Sequence, residues 1–593
     1  MKPSSVQQTV RRSAAAGTAR RLFAYVRSFP AALLMSIGFG ILSGLTALIA
    51  PRLIGRIIDD FAQSGQTVPD GLTQRLLLLL GTFLLGALFH WLLSVFANRL
   101  AVRTAARIRA EAFERLSGLS LSVIDTHPAG DFVSRLINDA DAIHDGLSQV
   151  LIQLGAGSVT LVGALVIMFR LAPGVALAAL AVTPLCFVVT ALINRNSRAM
   201  YRKQAAAAGR INAFADEAIE GQTVLRSFGA EEAFCADFAR LNADLYVVGQ
   251  KAQFYASLTN PGTRFVNNIA YILVGIIACA IGLRGGISIG VISSLLSYVL
   301  QFAKPINEFS AVSSQFQNAL SGSERLFELI DTPQEDLREE APALEVTGGS
   351  VVFREVDFSY TSDRPLIQNL NLTVPAGAKI AIVGPTGAGK TTLVNLLMNF
   401  YDIDRGTILI DDVDIQAVSV ASLRQSFGMV LQDSWLFSGT VRNNIAYGRA
   451  DASEEAVVEA AKAAHAHDFI MRLPAGYETL LTGAGAALSA GEKQLLTIAR
   501  AFLTRPQILI LDEATSNIDT RTEQLIQQAF DRMMEGKTAF IIAHRLSTVR
   551  EADRILVLEN GRIVQQGRHE ELVAEDGLYQ DMYNSQYEYV NVD

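Results

Sequence analysis

Residues Gly384 to Thr391 read GPTGAGKT, the pattern G-x-x-x-x-G-K-S/T. The chemistry of that pattern is phosphate binding. Gly384, Gly387 and Gly389, with Pro385, Thr386 and Ala388 between them, let backbone N–H groups curl around phosphate oxygens. Lys390 is placed to neutralise the terminal phosphates of a nucleotide, and the hydroxyl of Thr391, followed by Thr392, to ligate Mg²⁺. The apolar run IAIV precedes the loop and TLVNLLMNF follows it, the strand–loop–helix context the motif requires. The following helix start adds partial positive charge.

A second apolar run, ILILDEATSNID from Ile508, ends in Asp512 and Glu513. An acid at a strand end can hold the Mg²⁺ shell. A second acid beside it can orient or deprotonate an attacking water. His544 closes a third such run, AFIIAH, within reach of the same phosphate or water. Alone, these residues read as plain surface groups after strands. The phosphate loop turns them into a set.

These residues need elements to hold them. From Val351 short β-rich runs alternate with helical patterns, which predicts an α/β domain over 351–593. Residues 332–350 are polar and proline-bearing, and read as a linker. The region before differs in kind. The chain of 593 residues is 50% hydrophobic and only 18% charged, and the shortage of charge is concentrated in its first half. Mean hydropathy is +0.29. Six stretches lack Asp, Glu, Lys and Arg: 28–51, 76–98, 146–169, 171–194, 265–283 and 285–303. About 20 apolar helical residues cross a ~30 Å hydrocarbon core. A membrane domain over 28–331 is therefore expected, after a cytoplasmic segment 1–27 with no cleaved signal peptide.

Lys and Arg set its orientation. The connections 1–27, 99–145 and 195–264 carry six, six and nine; 52–75 carries three and the joints at Arg170 and Arg284 one each. Both termini are therefore expected on the cytoplasmic side of the membrane. The two long connections read as helix, from Ala101 to Leu116 and from Arg195 to Phe228, so these helices should run on into the cytoplasm. Breaks are expected at Asp125–Asp131 (DTHPAGD) and near Gly221. The net charge of −8 gives no overall basic field for nucleic acid. Cys186, Cys235 and Cys279 are too far apart for a zinc signature and too few for a disulfide scaffold.

Taken together, these motifs resemble an ATP-binding cassette exporter half-transporter, from about Arg20 to Gln580. The resemblance implies an all-α six-helix transmembrane domain (the type I exporter, or type IV, fold) followed by an α/β P-loop nucleotide-binding domain. Tyr360 in VDFSY matches the aromatic that stacks on adenine. Gly384–Thr391 matches the Walker A loop, Gln432 in VLQDSWLF the Q-loop glutamine, and Asp512 and Glu513 Walker B. Ser489 to Gln494 in LSAGEKQ, with Gly491 and Glu492, matches the family signature; Asp519 matches the D-loop and His544 the switch histidine. The resemblance makes Thr391, Gln432 and Asp512 the Mg²⁺ set and Glu513 and His544 the catalytic pair. It implies that ATP lies between two cassettes, each site joining one cassette's Walker motifs to the other's signature. A second half-transporter is then required. The DTHPAGDFVSRLINDADAI run looks like the family's first coupling segment.

Two departures from the family pattern bear on that partner. The usual signature is LSGGQ, and here Ala490 and Glu492 replace its third and fifth residues. A Cβ at Ala490 crowds a backbone approach to phosphate, and Glu492 adds negative charge near it, partly offset by Lys493. The run TGAGAA (482–487) lacks the glutamate-containing loop of homodimeric exporters. LQDSWLF, GEKQLLTIARAFL and DEATSNIDTRTE resemble the catalytic-glutamate subunit of heterodimeric bacterial exporters. A heterodimer is the expectation, and a homodimer the alternative.

Substrate is weakly written in the chain. His90, Trp91, Arg264, Asn267, Asn268, Tyr271, Tyr298 and Gln301 are the polar and aromatic groups in or beside the apolar runs. Polar groups at membrane depth are candidate cavity residues, and each is also open to a packing role. Sparse polar groups in an apolar cavity suit drug-like amphiphiles or lipids. Import of a metal-chelate on the same frame, homodimeric lipid flipping and an ATP-gated channel are the competing readings.

Overall fold

The computed structural model describes residues 17–64, 69–361, 364–432, 434–483, 485, 488–513, 518–543 and 549–590. They form two compact units. One joins the chain up to Ser117 to Pro128–Thr332; the other joins Gly118–His127 to Pro333–Asp593.

The first unit is helical. After α1 (17–27) come α2 (Pro30–Ser64) and α3 (Leu72–Ser117). The short α4 (Leu121–Asp125) belongs to the second unit. The first resumes with α5 (Ala129–Ser134), a π-helical turn over Arg135–Asp139, α6 (Ala140–Leu171), α7 (Pro173–Glu220), α8 (Gln222–Ser227), α9 (Glu231–Ser257), α10 (Thr259–Leu283) and α11 (Ile289–Asp331). Among the described residues, five helical stretches are long and apolar enough to cross a membrane: 30–64, 72–117, 129–171, 231–283 and 289–306. The run 171–194 contributes a shorter apolar stretch, Pro173–Leu185, inside α7. With 46 and 48 residues, α3 and α7 measure about 70 Å at 1.5 Å per residue. That is over twice the ~30 Å hydrocarbon thickness. The breaks fall where the sequence has its proline and glycines: α4 ends at Asp125, α5 begins after Pro128, and Gly221 caps α7.

Small residues let the membrane helices approach closely. A Cβ on Gly40 of α2 would stand 2.9 Å from the Gly155 backbone of α6. The α2–α11 contact has a polar core. Pro51, inside α2, has no N–H to give the Ala47 carbonyl four residues back. That carbonyl accepts from Gln301 Nε2 at 3.0 Å, the Leu48 carbonyl accepts from the Tyr298 hydroxyl at 2.7 Å, and the Pro51 carbonyl from Ser294 Oγ at 2.9 Å. In an apolar medium an unpaired carbonyl costs several kcal/mol, so these three side chains from one face of α11 stabilise α2 around Pro51.

The second unit holds two main sheets. Antiparallel β2-β1-β4-β5 comprises β1 (Val351–Phe358), β2 (Ile367–Val374), β4 (Arg405–Ile410) and β5 (Val413–Asp414). The six-stranded sheet runs β12-β11-β3-β10-β9-β6. Its strands are β3 (Lys379–Val383), β6 (Phe427–Val430), β9 (Ile508–Glu513), β10 (Thr538–Ala543), β11 (Arg554–Glu559) and β12 (Arg562–Gly567), with β7 (Gly439–Thr440) and β8 (Leu480–Leu481) pairing apart. All its pairings are parallel except that of β12 with β11. Parallel strands buried on both faces read as continuous apolar runs; Ile380, Ala381, Ile382 and Val383 are all buried. Around the sheet lie α12 (Lys390–Leu397), α13 (Val420–Gln425), α14 (Val441–Ala446), α15 (Glu454–Ala463), α16 (His467–Ile470), α17 (Ala490–Thr504) and α18 (Thr520–Met534).

Asp411 fastens the entry to this unit. Its carboxylate accepts the N–H groups of Thr347, Gly348, Gly349 and Ser350 at 2.8–3.0 Å, and the Ser350 hydroxyl as well. Burial pushes the carboxyl pKa up, but the backbone donors outweigh it and hold the group at about 2.

Candidate functional site

Strand order assembles the chemistry. In the parallel sheet β10 lies between β3 and β9, with Ile542 level with both Ile382 and Asp512, and Ala543 level with Glu513. The loop after β3 and the acids ending β9 therefore share the carboxyl edge of the sheet, where ligands of such folds bind. Gln432 follows β6, the neighbour of β9, and is exposed.

The loop after β3 has the backbone its glycines predict. Gly387 and Gly389 have φ of 83° and 99°, a region that side chains with a Cβ rarely enter. A Cβ on Gly384 would stand 2.2 Å from the Leu558 carbonyl oxygen. Gly389 starts α12 without any side-chain cap, so the first N–H groups of that helix face outward for an anion. Pro385 and Thr386 are exposed, Ala388 is buried, and its carbonyl accepts the Gly561 N–H at 3.0 Å. Lys390 Nζ donates to the carbonyls of Gly384 and Pro385 at 2.8 and 3.1 Å. Burial lowers its pKa, and the charge of Asp512 opposes that shift. Thr391 is exposed and Thr392 buried.

Tyr360 stands at the end of β1 with 48% of its surface exposed. Its hydroxyl is 3.1 Å from Thr392 Oγ1, which ties it to α12. The ring packs edge-to-face on Phe358 and Tyr401, centroids 4.8 and 5.0 Å away.

At the start of α17, Ser489 and Glu492 form a reciprocal capping box. The Ser489 N–H and hydroxyl both donate to Glu492 Oε2 at 2.9 Å, and the Glu492 N–H donates to Ser489 Oγ at 3.3 Å. Glu492, expected from the sequence as a negative charge near phosphate, is instead the capping partner of Ser489, as the S-x-x-E spacing signals. Gly491 is buried, and a Cβ there would stand 2.4 Å from Thr522 Cγ2 on α18. Ala490 is exposed. Asp519 caps α18 by accepting the Thr522 N–H at 3.0 Å; that partner lowers its pKa. His544 and the Glu513 side chain lie outside the described residues, as does part of the 482–487 run.

The candidate cavity residues fall on three helices. His90 and Trp91 are exposed on α3; Arg264, Asn268 and Tyr271 are exposed on α10. Asn267 lines a narrow cavity with Thr183 of α7 and Phe302 of α11. Tyr298 is fully buried on its bond to Leu48. Gln301 lines a cleft of about 470 Å³ with Thr46 and Pro51 of α2 and Thr82 and Phe83 of α3.

Comparison with known proteins agrees with this geometry. Residues 33–306 match the ABC transporter transmembrane region family, and residues 367–516 the ABC transporter family. A Mycobacterium bovis protein named fatty acid ABC transporter ATP-binding/permease protein is 44% identical over 87% of this chain and 82% of its own. The ATP-dependent lipid A-core flippase of Syntrophus aciditrophicus is 35% identical over 93% of this chain and 91% of its own. A solved bacterial Atm1-family ABC exporter with ATP bound superposes with a TM-score of 0.77 at 32% identity, covering 94% of this chain and 98% of the other. The chain therefore belongs to the ATP-binding cassette transporters, as an exporter half-transporter whose membrane domain is joined to one ATP-hydrolysing domain.

Proposed function

We propose that this chain exports a hydrophobic or amphiphilic compound, drug-like or lipid, across the bacterial cytoplasmic membrane as one half of a dimer. The termini are read as cytoplasmic. One observation carries the energetic part: the uncapped start of α12, with Lys390 held on carbonyls it can exchange for phosphate. An arriving triphosphate replaces weak carbonyl contacts with charge-assisted bonds in a partly desolvated site. Tyr360 offers its exposed face to adenine. Glu513 is the proposed base for water, assisted by His544, and Asp519 positions the partner-facing edge.

Thr391 and Asp512 suit a divalent cation: an exposed hydroxyl in the first turn of α12 and a carboxylate beside Lys390, with Gln432 at the neighbouring strand end. Magnesium, when bound, neutralises phosphate charge. The relatives named for a fatty acid and for lipid A-core both concern amphiphiles, which supports that substrate class here.

The partner is proposed to be a different half-transporter. Ser489's hydroxyl and N–H are both engaged by Glu492, so this signature meets phosphate poorly. It would serve the less active of two sites, while Glu513 works opposite the partner's signature. Mass measurement of the purified complex tests this. A single chain type with full substrate-stimulated ATPase activity defeats it. Transport direction in inverted vesicles tests export: ATP-driven accumulation of a fluorescent lipid or hydrophobic cation is expected, and movement the other way would make the protein an importer.

A further inference from the structure

The segment Gly118–His127 is held at both ends within the nucleotide-binding unit. At its start, the Gly118 carbonyl accepts the Glu335 N–H at 2.8 Å. The Glu335 carboxylate receives two nitrogens of Arg424, at 2.5 and 3.1 Å. The Arg424 guanidinium lies 4.7 Å from the Phe400 ring centre and donates to the carbonyls of Met398 and Asn399. Arg424 thereby fixes the turn that presents Tyr401. At the other end, the Tyr401 hydroxyl donates to Asp125 Oδ2.

Tyr401 faces the nucleotide side as well. Its ring stands at 90° to Tyr360 with centroids 5.0 Å apart, and Phe358 packs edge-on against both. Phe358 is buried, so it backs the other two rings like a wall. Packed rings of this kind do not shift independently. Burial, Asp125 and Tyr360 together raise the Tyr401 pKa, so its hydroxyl remains a donor throughout the physiological range.

We infer that Tyr401 is a positioning residue that ties base stacking on Tyr360 to Asp125, so that the segment Gly118–His127 responds to the nucleobase as well as to the phosphates. The inference rests on the proposed stacking role of Tyr360. It gives the base a mechanical part that phosphate contacts alone would not supply.

Amide hydrogen exchange in residues 118–127 of the full chain, purified with any partner, provides the test. The probes are magnesium ATP and magnesium ribose triphosphate, which has no base. In the unmodified chain ATP slows exchange in this segment about tenfold more than ribose triphosphate, the factor set by one hydrogen bond to a charged group. Tyr401→Phe and Asp125→Ala abolish that difference, and Asp125→Asn, which keeps an acceptor, retains most of it. General damage to the fold lowers protection equally with both nucleotides, so the difference is the readout. Equal protection by both nucleotides in the unmodified chain overturns the inference, as does a base effect that survives Tyr401→Phe. ATP affinity of Tyr360→Ala separates the two failures. Affinity lost without a base effect on the segment defeats the tie through Tyr401 alone. Affinity unchanged defeats the stacking role, and the tie falls with it.

Discussion

Two helices of the ATP-binding unit begin at loops expected to meet phosphate, and they begin differently. The start of α12 is uncapped: Gly389 has no side chain, and Lys390 stands beside it. The start of α17 is closed by its own carboxylate, Glu492 accepting the N–H and the hydroxyl of Ser489. Both ends carry the same partial positive charge. One is left for an external anion, and the other is satisfied from within. The glycine count of each motif does not reveal this. The residue three positions into the helix does.

The contrast can be broken most sharply at α12. Lys390→Ala should weaken ATP binding about 100-fold, by the loss of charge-assisted contacts of ~2.7 kcal/mol. Calorimetry that finds near-normal affinity would show that the backbone alone suffices. At α17, Glu492→Gln preserves the capping pattern but removes the charge. The nucleotide concentration that joins two cassettes should fall about fivefold. An unchanged requirement, read by light scattering, would leave the self-closure of α17 without consequence.

A weaker effect is the pH dependence of α12. Burial lowers the Lys390 pKa from 10.5 in the free site, and a bound anion favours the charged amine. Affinity is therefore complete below the depressed pKa and declines as pH rises through it. The decline should reach about threefold by the alkaline end of a titration and be absent in Lys390→Ala. The smallest effect concerns Asp411, whose carboxylate gathers four backbone N–H groups where Glu492 takes one. The Asp411 pKa is depressed from 3.8 to about 2. Its stabilisation is present above the unfolded value and is lost as pH falls towards about 2. Asp411→Asn should flatten the melting curve across that acid window. Identical acid limbs would remove Asp411 from the stability of this entry.

The sequence made contiguous chemistry legible and left distant pairing hidden. Gly384–Thr391 could be read because strand, loop and helix follow one another in the chain. Asp512 and Glu513 joined it because parallel strands end at one edge. Tyr298 and Gln301 were visible as polar groups in an apolar run. Their partners were not, since Leu48 and Ala47 lie 250 and 254 positions away. Helix register, and not local pattern, sets that pairing. Asp411 and the Arg424–Glu335 pair were missed for the same reason. Glu492 was seen but assigned only a charge, because its effect depends on which donors it accepts.

Pro51 has a consequence beyond its own helix. An ordinary amino acid at that position would return an N–H to the Ala47 oxygen. α2 could then satisfy itself, and the Gln301 amide would lose its purchase. Spin labels on the two helices should report Pro51→Ala as a broadened separation. Proline is usually regarded as something that weakens a rod; here it makes one rod dependent on another for its hydrogen bonding.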